Sequence, residues 1–226
     1  MEDETIKTKS AQITQQLRDL ISTGELPRGS SLRQDKLAEL FNTSITPVRE
    51  ALRSLQAEGL IVGEPHRGVR VASVDLEHLK STYVMRRLVE GYAIQRSTHR
   101  LTILDLQKAT DLNRQMEAAY AAGNSLDVGT INRDFHFLFI ERCGLAGVTH
   151  EAENLWYSYP WDILRVVSTR VPHSVGEHDA IINAARSGDP EEVGRAVGTH
   201  LSNSYRTLVK HLTGDDVIDP FDLNAV

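Results

Sequence analysis

Apolar residues recur at helical spacing through most of this chain. Ile13, Leu17, Leu20 and Ile21 fall on one face of a segment from Ala11 to Ser22, which predicts a helix. The turn-rich stretch Gly24-Glu-Leu-Pro-Arg-Gly29 follows it. A second helical pattern carries Leu32, Leu37, Leu40 and Phe41 and stops near Asn42. After a break at Thr43 and Ser44, a third helix places Val48, Ala51, Leu52 and Leu55 inward. Ser44 or Thr46 is suited to cap it, Pro47 to sit in its first turn, and Gly59 to close it. The pattern then changes. Leu60-Ile-Val62 and Val69-Arg-Val-Ala72 read as two short strands around the turn Gly63-Glu-Pro-His-Arg-Gly68.

From Asp75 onward no strand alternation is evident. Helices are expected near 76–99, 102–122, 125–143, 148–169, 173–187 and 190–213, with breaks at Gly, Pro and capping residues between them. Pro160, within Tyr157-Ser-Tyr-Pro-Trp161, predicts a kink in the fourth of these. The acidic stretch after Gly214 reads as loosely ordered. The fold class is therefore mostly α. A winged helix-turn-helix occupies residues 1–74, and an all-α antiparallel helical bundle occupies residues 75–226.

Two short helices joined by a tight turn place the second against DNA, with Thr46, Arg49, Glu50 and Arg53 on its outer face. Arginines there can reach phosphates or the O6/N7 edge of guanine. The hairpin forms a wing whose tip carries His66, Arg67 and Gly68, a basic tip able to approach a minor groove. Each residue also has a plainer role open to it. Arg49 and Arg53 could be solvated helix arginines, Arg53 could pair with Glu50 or Glu58, and Ser44 could serve only as a cap.

The net charge of −6 at first argues against a nucleic-acid partner. Its distribution changes that picture. Residues 5–74 hold ten Lys/Arg against seven Asp/Glu, and residues 75–226 hold fifteen against twenty-one. A basic front and an acidic back steer a polyanion to the front. No stretch approaches the ~18 consecutive apolar residues of a membrane span, and the acidic start, Met1-Glu-Asp-Glu-Thr, does not resemble a secretory signal. Cys143 is the only cysteine, which excludes an intramolecular disulfide and fits a cytoplasmic protein.

In the second part, Asn132 and His136 are four apart and share a helix face, while His178 and His200 lie on two later helices. Imidazoles from three helices meeting inside a bundle suit Zn²⁺ or a similar divalent ion. On spacing alone, packed or solvated histidines are the commoner case. Arg86 and Glu90 are also four apart, so they could form an ordinary helix pair. Trp156, Tyr157, Tyr159 and Trp161 read as core or pocket wall.

Two sets of motifs carry a family resemblance. Gly24-Glu-Leu-Pro-Arg-Gly-Ser-Ser-Leu, Leu37-Ala-Glu-Leu, Thr46-Pro-Val-Arg-Glu-Ala-Leu and Glu58-Gly-Leu-Ile resemble the DNA-binding domain of GntR-family regulators. That resemblance implies DNA contacts from Arg33, Ser44, Thr46, Arg49, His66 and Gly68. Ile45 stands where such proteins commonly carry Arg, which removes one donor to the operator. Arg86-Arg-Leu-Val-Glu90, Asp134-Phe-His136-Phe, Glu177-His178-Asp-Ala-Ile and His200-Leu resemble the FCD effector domain of the FadR branch. It implies a divalent metal, Zn²⁺ or Ni²⁺, held by His136, His178 and His200, with Asn132 in a position normally Asp. It also implies a pocket arginine at Arg86, near which Tyr83 could line the wall. The function expected is a homodimeric, ligand-responsive regulator, by default a repressor. It would bind a palindromic double-stranded operator and sense a small organic acid. A metal-dependent enzyme or a metal sensor built on the helical part is the alternative.

Overall fold

A computed structural model describes residues 8–64, 68–164, 167 and 170–222. The chain divides into two compact units, Met1–Val74 and Asp75–Val226. In the first, α1 (Lys9–Ser22), β1 (Ser31–Leu32), α2 (Gln34–Leu40), α3 (Ile45–Ala57), β2 (Ile61–Glu64) and β3 (Gly68–Val71) follow in order. The strands form an antiparallel sheet ordered β1-β3-β2. Ser31 pairs with Arg70 and Leu32 with Val69. Leu32, expected to open the second helix, is thus a sheet residue, and that helix starts at Gln34. A two-residue strand is too short to show alternation in sequence.

The apolar stripes of the three helices meet the sheet in one core of Ile13, Leu17, Ile21, Leu37, Val48, Leu52, Leu55, Ile61 and Val71. Full burial of each such aliphatic side chain contributes about 1.5–3 kcal/mol. Arg18 of α1 reaches Glu58 at the end of α3 through a fork of 2.8 and 2.6 Å. That link fixes the C-terminal end of α3 and occupies Glu58.

The second unit contains α4 (Leu76–Ser97), α5 (Ile103–Ala121), α6 (Ser125–Glu141), α7 (Ala146–Ser158), α8 (Trp161–Leu164), α9 (Arg170–Ser187) and α10 (Pro190–Thr213). Capping side chains set several starts. Asp75 accepts from the backbone of Glu77 and His78, Thr102 and Asp105 form a capping box, and Asp189 caps α10 ahead of Pro190. Helix α4 packs on α6, α7 and α10, α5 on α6 and α9, and α9 on α10. These contacts link six helices into one bundle.

The helix expected over 148–169 breaks rather than kinks. Helix α7 ends at Ser158, and Tyr159 is extended at φ −85°, ψ 138°. The residue before a proline is steered out of the helical region, and Pro160 has no N–H to continue the ladder. The Trp161 indole N–H donates to the Trp156 carbonyl at 2.7 Å and staples the break. Helix α9 begins at Arg170, earlier than expected, because Pro172 falls in its first turn, where a missing N–H does no harm. The segment after Gly214 is tied down. Asp219 accepts from the Tyr83 hydroxyl at 2.8 Å, from Ser202 and from Arg87 at 3.2 Å. Among the described residues, no helix is long and apolar enough to cross a membrane.

Candidate metal centre and nucleic-acid interface

Helices α6, α9 and α10 deliver His136, His178 and His200 to one buried point. All three are at most 3% exposed, and one ring nitrogen from each lies within 4.8 Å of the other two. Their tautomers follow from their neighbours. The Asn113 amide donates through Nδ2 to the Val175 carbonyl and to Asp179, so its Oδ1 accepts from His178 Nδ1 at 3.2 Å. Glu177 can only accept when ionised, so His200 Nδ1–H donates to it at 2.8 Å. His136 Nδ1 faces the Glu90 carboxylate at 3.5 Å. His178 and His200 thus commit their Nδ1 protons outward and keep an Nε2 lone pair, while His136 Nδ1 faces Glu90 without a hydrogen bond. His136 Nε2 and His200 Nε2 stand 3.1 Å apart, and His178 Nε2 is buried without a partner. The orphaned His178 Nε2, and a His200 Nε2 lone pair met only by His136 Nε2, suit a cation drawn between the rings. The donor set fits a divalent metal, and the outward bonds are those that orient imidazole ligands.

Burial first pushes the three imidazoles below the usual histidine range; the neighbouring rings and then the arginines add to it strongly at His178 and His200, while Glu90 opposes it at His136. They are therefore neutral at pH 7, as ligation requires. Two arginines frame the cluster. Arg86 is 2% exposed and forks onto Glu90 through Nε and, at 3.2 Å, through Nη2. Its guanidinium lies 4.5 Å from the Tyr159 ring, 4.7 Å from Trp161 and 5.2 Å from Trp156. Burial alone would raise the Glu90 carboxyl, but Arg86 and His136 overcome it and hold the group ionised. Arg170 donates to Glu177 at 2.7 Å and to Ser204 at 2.8 Å.

In the first unit the sites stand in solvent. Ser44, Ile45, Thr46, Arg49, Glu50 and Arg53 are exposed around the N-terminal half of α3. Ser44 occupies the cap position of α3 but makes no side-chain capping bond. Glu58, a possible partner for Arg53, is taken by Arg18. Arg33 is exposed and forks onto Asp35 at 3.2 and 2.7 Å. Gly68 starts β3 with φ +86°, a backbone state that a side chain would strain. His66 lies outside the described residues.

Residues 9–71 match the model for bacterial regulatory proteins of the gntR family, and residues 81–203 match the FCD domain. The chain is 30% identical to the HTH-type transcriptional repressor NanR of Klebsiella aerogenes, over 90% of this chain and 88% of that one. The chain belongs to the GntR family, with an FCD domain. It is also 28% identical to a probable D-xylose utilization operon transcriptional repressor of Paenarthrobacter nicotinovorans, over 89% of this chain and 91% of that protein. The E. coli McbR/YncC structure shares its fold with a TM-score of 0.81 and 22% identity, covering 91% of this chain and 99% of that one.

This GntR-family chain is accordingly a DNA-binding transcription regulator and not an enzyme, since the family and the relatives named above are regulators. Its FCD unit brings together His136, His178, His200 and Arg86. Asn132 is half-buried one turn before His136 on α6. Tyr83 serves another network. Its ring stacks on Tyr205 at 4.3 Å, and its hydroxyl is held by Asp219 and Arg87. Sequence reasoning missed Asn113, Arg170 and Glu177, and it read Glu90 only as a partner for Arg86. Glu177 adjoins His178 in a quoted motif and could have been found there. Asn113 sits 65 positions from the histidine it orients, and no sequence pattern points to it.

Proposed function

We propose that this regulator is a homodimeric repressor whose FCD unit holds a divalent metal, Zn²⁺ or Ni²⁺, at His136, His178 and His200, and that the metal site senses a small organic acid. The carrying observation is the convergence of three Nε2 atoms whose Nδ1 atoms are each directed to Glu90, Asn113 or Glu177. Asn132 offers a carbonyl oxygen as a further ligand but no charge. When bound, the metal supplies a Lewis-acidic anchor for an anion. Glu90 and Glu177 already balance Arg86 and Arg170, and the histidines are neutral, so the cation brings positive charge that these groups do not offset. That favours an anionic ligand over a neutral one. Arg86 is the nearby cation that would orient its carboxylate.

On the DNA side, Arg49, Arg53 and Thr46 would face an operator half-site, with Arg33, Ser44, His66 and Gly68 supporting on backbone and wing. Two copies would present two α3 helices to a palindrome. The acid would change operator affinity only by binding the DNA-competent and incompetent arrangements unequally. One relative is named a probable repressor of a D-xylose utilization operon, and an operon for use of a small organic nutrient is the target class proposed here.

The test is elemental analysis of the purified full-length protein and of His178→Ala. About one transition metal per chain in wild type, lost in the variant, supports the site. No metal in wild type after incubation with Zn²⁺ or Ni²⁺ sinks the metal-assisted reading and leaves the DNA-binding assignment standing. A response to chelation with no response to any acid would make the chain a metal sensor.

A further inference from the structure

Tyr159 is only 2% exposed, yet among the described residues its hydroxyl has no hydrogen-bond partner. Buried phenols usually find one, and an unpaired buried hydroxyl destabilises the protein that carries it. Phenylalanine would fill the same space without that penalty. The fold goes to some length to place this group. Pro160 breaks the helix, Tyr159 turns inward in extended backbone, and the Trp161–Trp156 staple fixes the break.

The ring it presents is one wall of the cage around Arg86. Arg86 Cζ lies 4.5 Å from the Tyr159 centroid, and Trp161 packs 4.8 Å from Tyr159 on the same side. Trp156 continues the wall to His136, at 5.2 Å between centroids. The charges acting most strongly on the phenol, after burial itself, are those of Arg86 and Arg170. A buried O–H donor thus sits on the ring that packs against Arg86, whose Glu90 partner faces His136. Arg86 and Arg170 already spend donors on Glu90, Glu177 and Ser204. Among the described residues the Tyr159 hydroxyl is a fully buried donor without a partner.

We propose that Tyr159 is a specificity-determining residue of the effector site, donating its phenolic hydrogen to a carboxylate oxygen of the bound acid. The inference rests on the organic-acid reading above and adds the group that selects for it. A site holding a dedicated donor also discriminates against ligands that lack a matching acceptor.

The test is Tyr159→Phe in the full chain with Zn²⁺ present, alongside Tyr120→Phe on α5 as a control. Thermal unfolding is followed alone and with acetate, malonate, succinate and citrate, and metal content is measured in parallel. Without acid, Tyr159→Phe should unfold at the same or a higher temperature than wild type, with unchanged metal. At least one acid should raise the wild-type Tm. Its apparent affinity should fall about tenfold or more in Tyr159→Phe, the scale of a lost hydrogen bond to a charged group, and stay unchanged in Tyr120→Phe. Equal acid binding by wild type and Tyr159→Phe would overturn the role of Tyr159 and leave the acid reading intact. No response of wild type to any acid would overturn both. A lower Tm or lost metal in Tyr159→Phe would show the hydroxyl to be structural, which also overturns the proposal.

Discussion

Arg49 and Arg53 on α3 stand in solvent, while Arg86 and Arg170 in the second unit are nearly inaccessible, the first forked onto Glu90 and the second bonded to Glu177. The same side chain is held in reserve in one unit and committed in the other. A DNA-reading surface must be exchangeable, because phosphates and base edges arrive from outside and displace water. A site inside a bundle must be organised in advance, because a buried charge without a partner is costly. Substitutions should therefore separate cleanly. Loss of a buried charge partner in the FCD unit should reach stability first, and changes on α3 should reach DNA affinity alone.

The sharpest break of that contrast is Glu90→Leu. It leaves Arg86 buried without its carboxylate and leaves His136 Nδ1 without a facing acceptor. Loss of one partner of a buried pair should destabilise the protein by about 3–5 kcal/mol. Denaturant unfolding of the whole chain would measure it. A change under 1 kcal/mol would mean that Arg86 finds another partner or that water enters, and the picture of a closed interior would fail.

On the other unit, Arg49→Ala and Arg53→Ala should leave the unfolding midpoint nearly unchanged. If Arg49 reads a base, its loss should weaken binding to a cognate operator by about 1–3 kcal/mol and relax preference at one position. If Arg53 holds phosphate, its loss should weaken all sequences alike and lower the salt slope by about 1. Titration of labelled operator and random duplex over a salt series distinguishes them. Equal binding by wild type and both variants would remove α3 from the interface.

The contrast also explains what could be read from the chain in advance. Exposed α3 residues are set by helical periodicity alone, since the apolar stripe of Val48, Ala51, Leu52 and Leu55 dictates which positions face out. Their identification needed no tertiary information. The histidines were found because their residue type is distinctive and their motifs were familiar. Their supports were not. Asn113 on α5 reaches His178 only because α5 packs on α9, and Arg170 lies in a stretch where the chain pattern ran from one expected helix towards a proline. The break at Tyr159 was read as a kink because Pro160 was visible and the Trp161–Trp156 staple was not. Likewise the two residues of β1 depend on partners 39 and 37 positions away, and the anchoring of Asp219 on one 136 positions away.

The Asp105–Arg142 pair lies between these extremes and calibrates them. Asp105 is 5% exposed, while the Arg142 side chain is 51% exposed. The carboxylate accepts from Arg142 at 2.7 and 3.1 Å and also closes the capping box of α5 through Thr102. The bond from Arg142, followed by the Thr102 contacts, lowers its pKa from 3.8 to about 2. A depressed folded-state value means that the ionised group stabilises the fold above the unfolded value and that this support fades as pH falls. The stability difference between wild type and Asp105→Asn should therefore be full near neutral pH and shrink between about pH 4 and about pH 2. With Arg142 half in water, screening limits the full difference to about 1 kcal/mol. Urea midpoints of both proteins over that pH range would show it. A difference that stays constant with pH would assign the loss to the helix cap rather than to the charge pair.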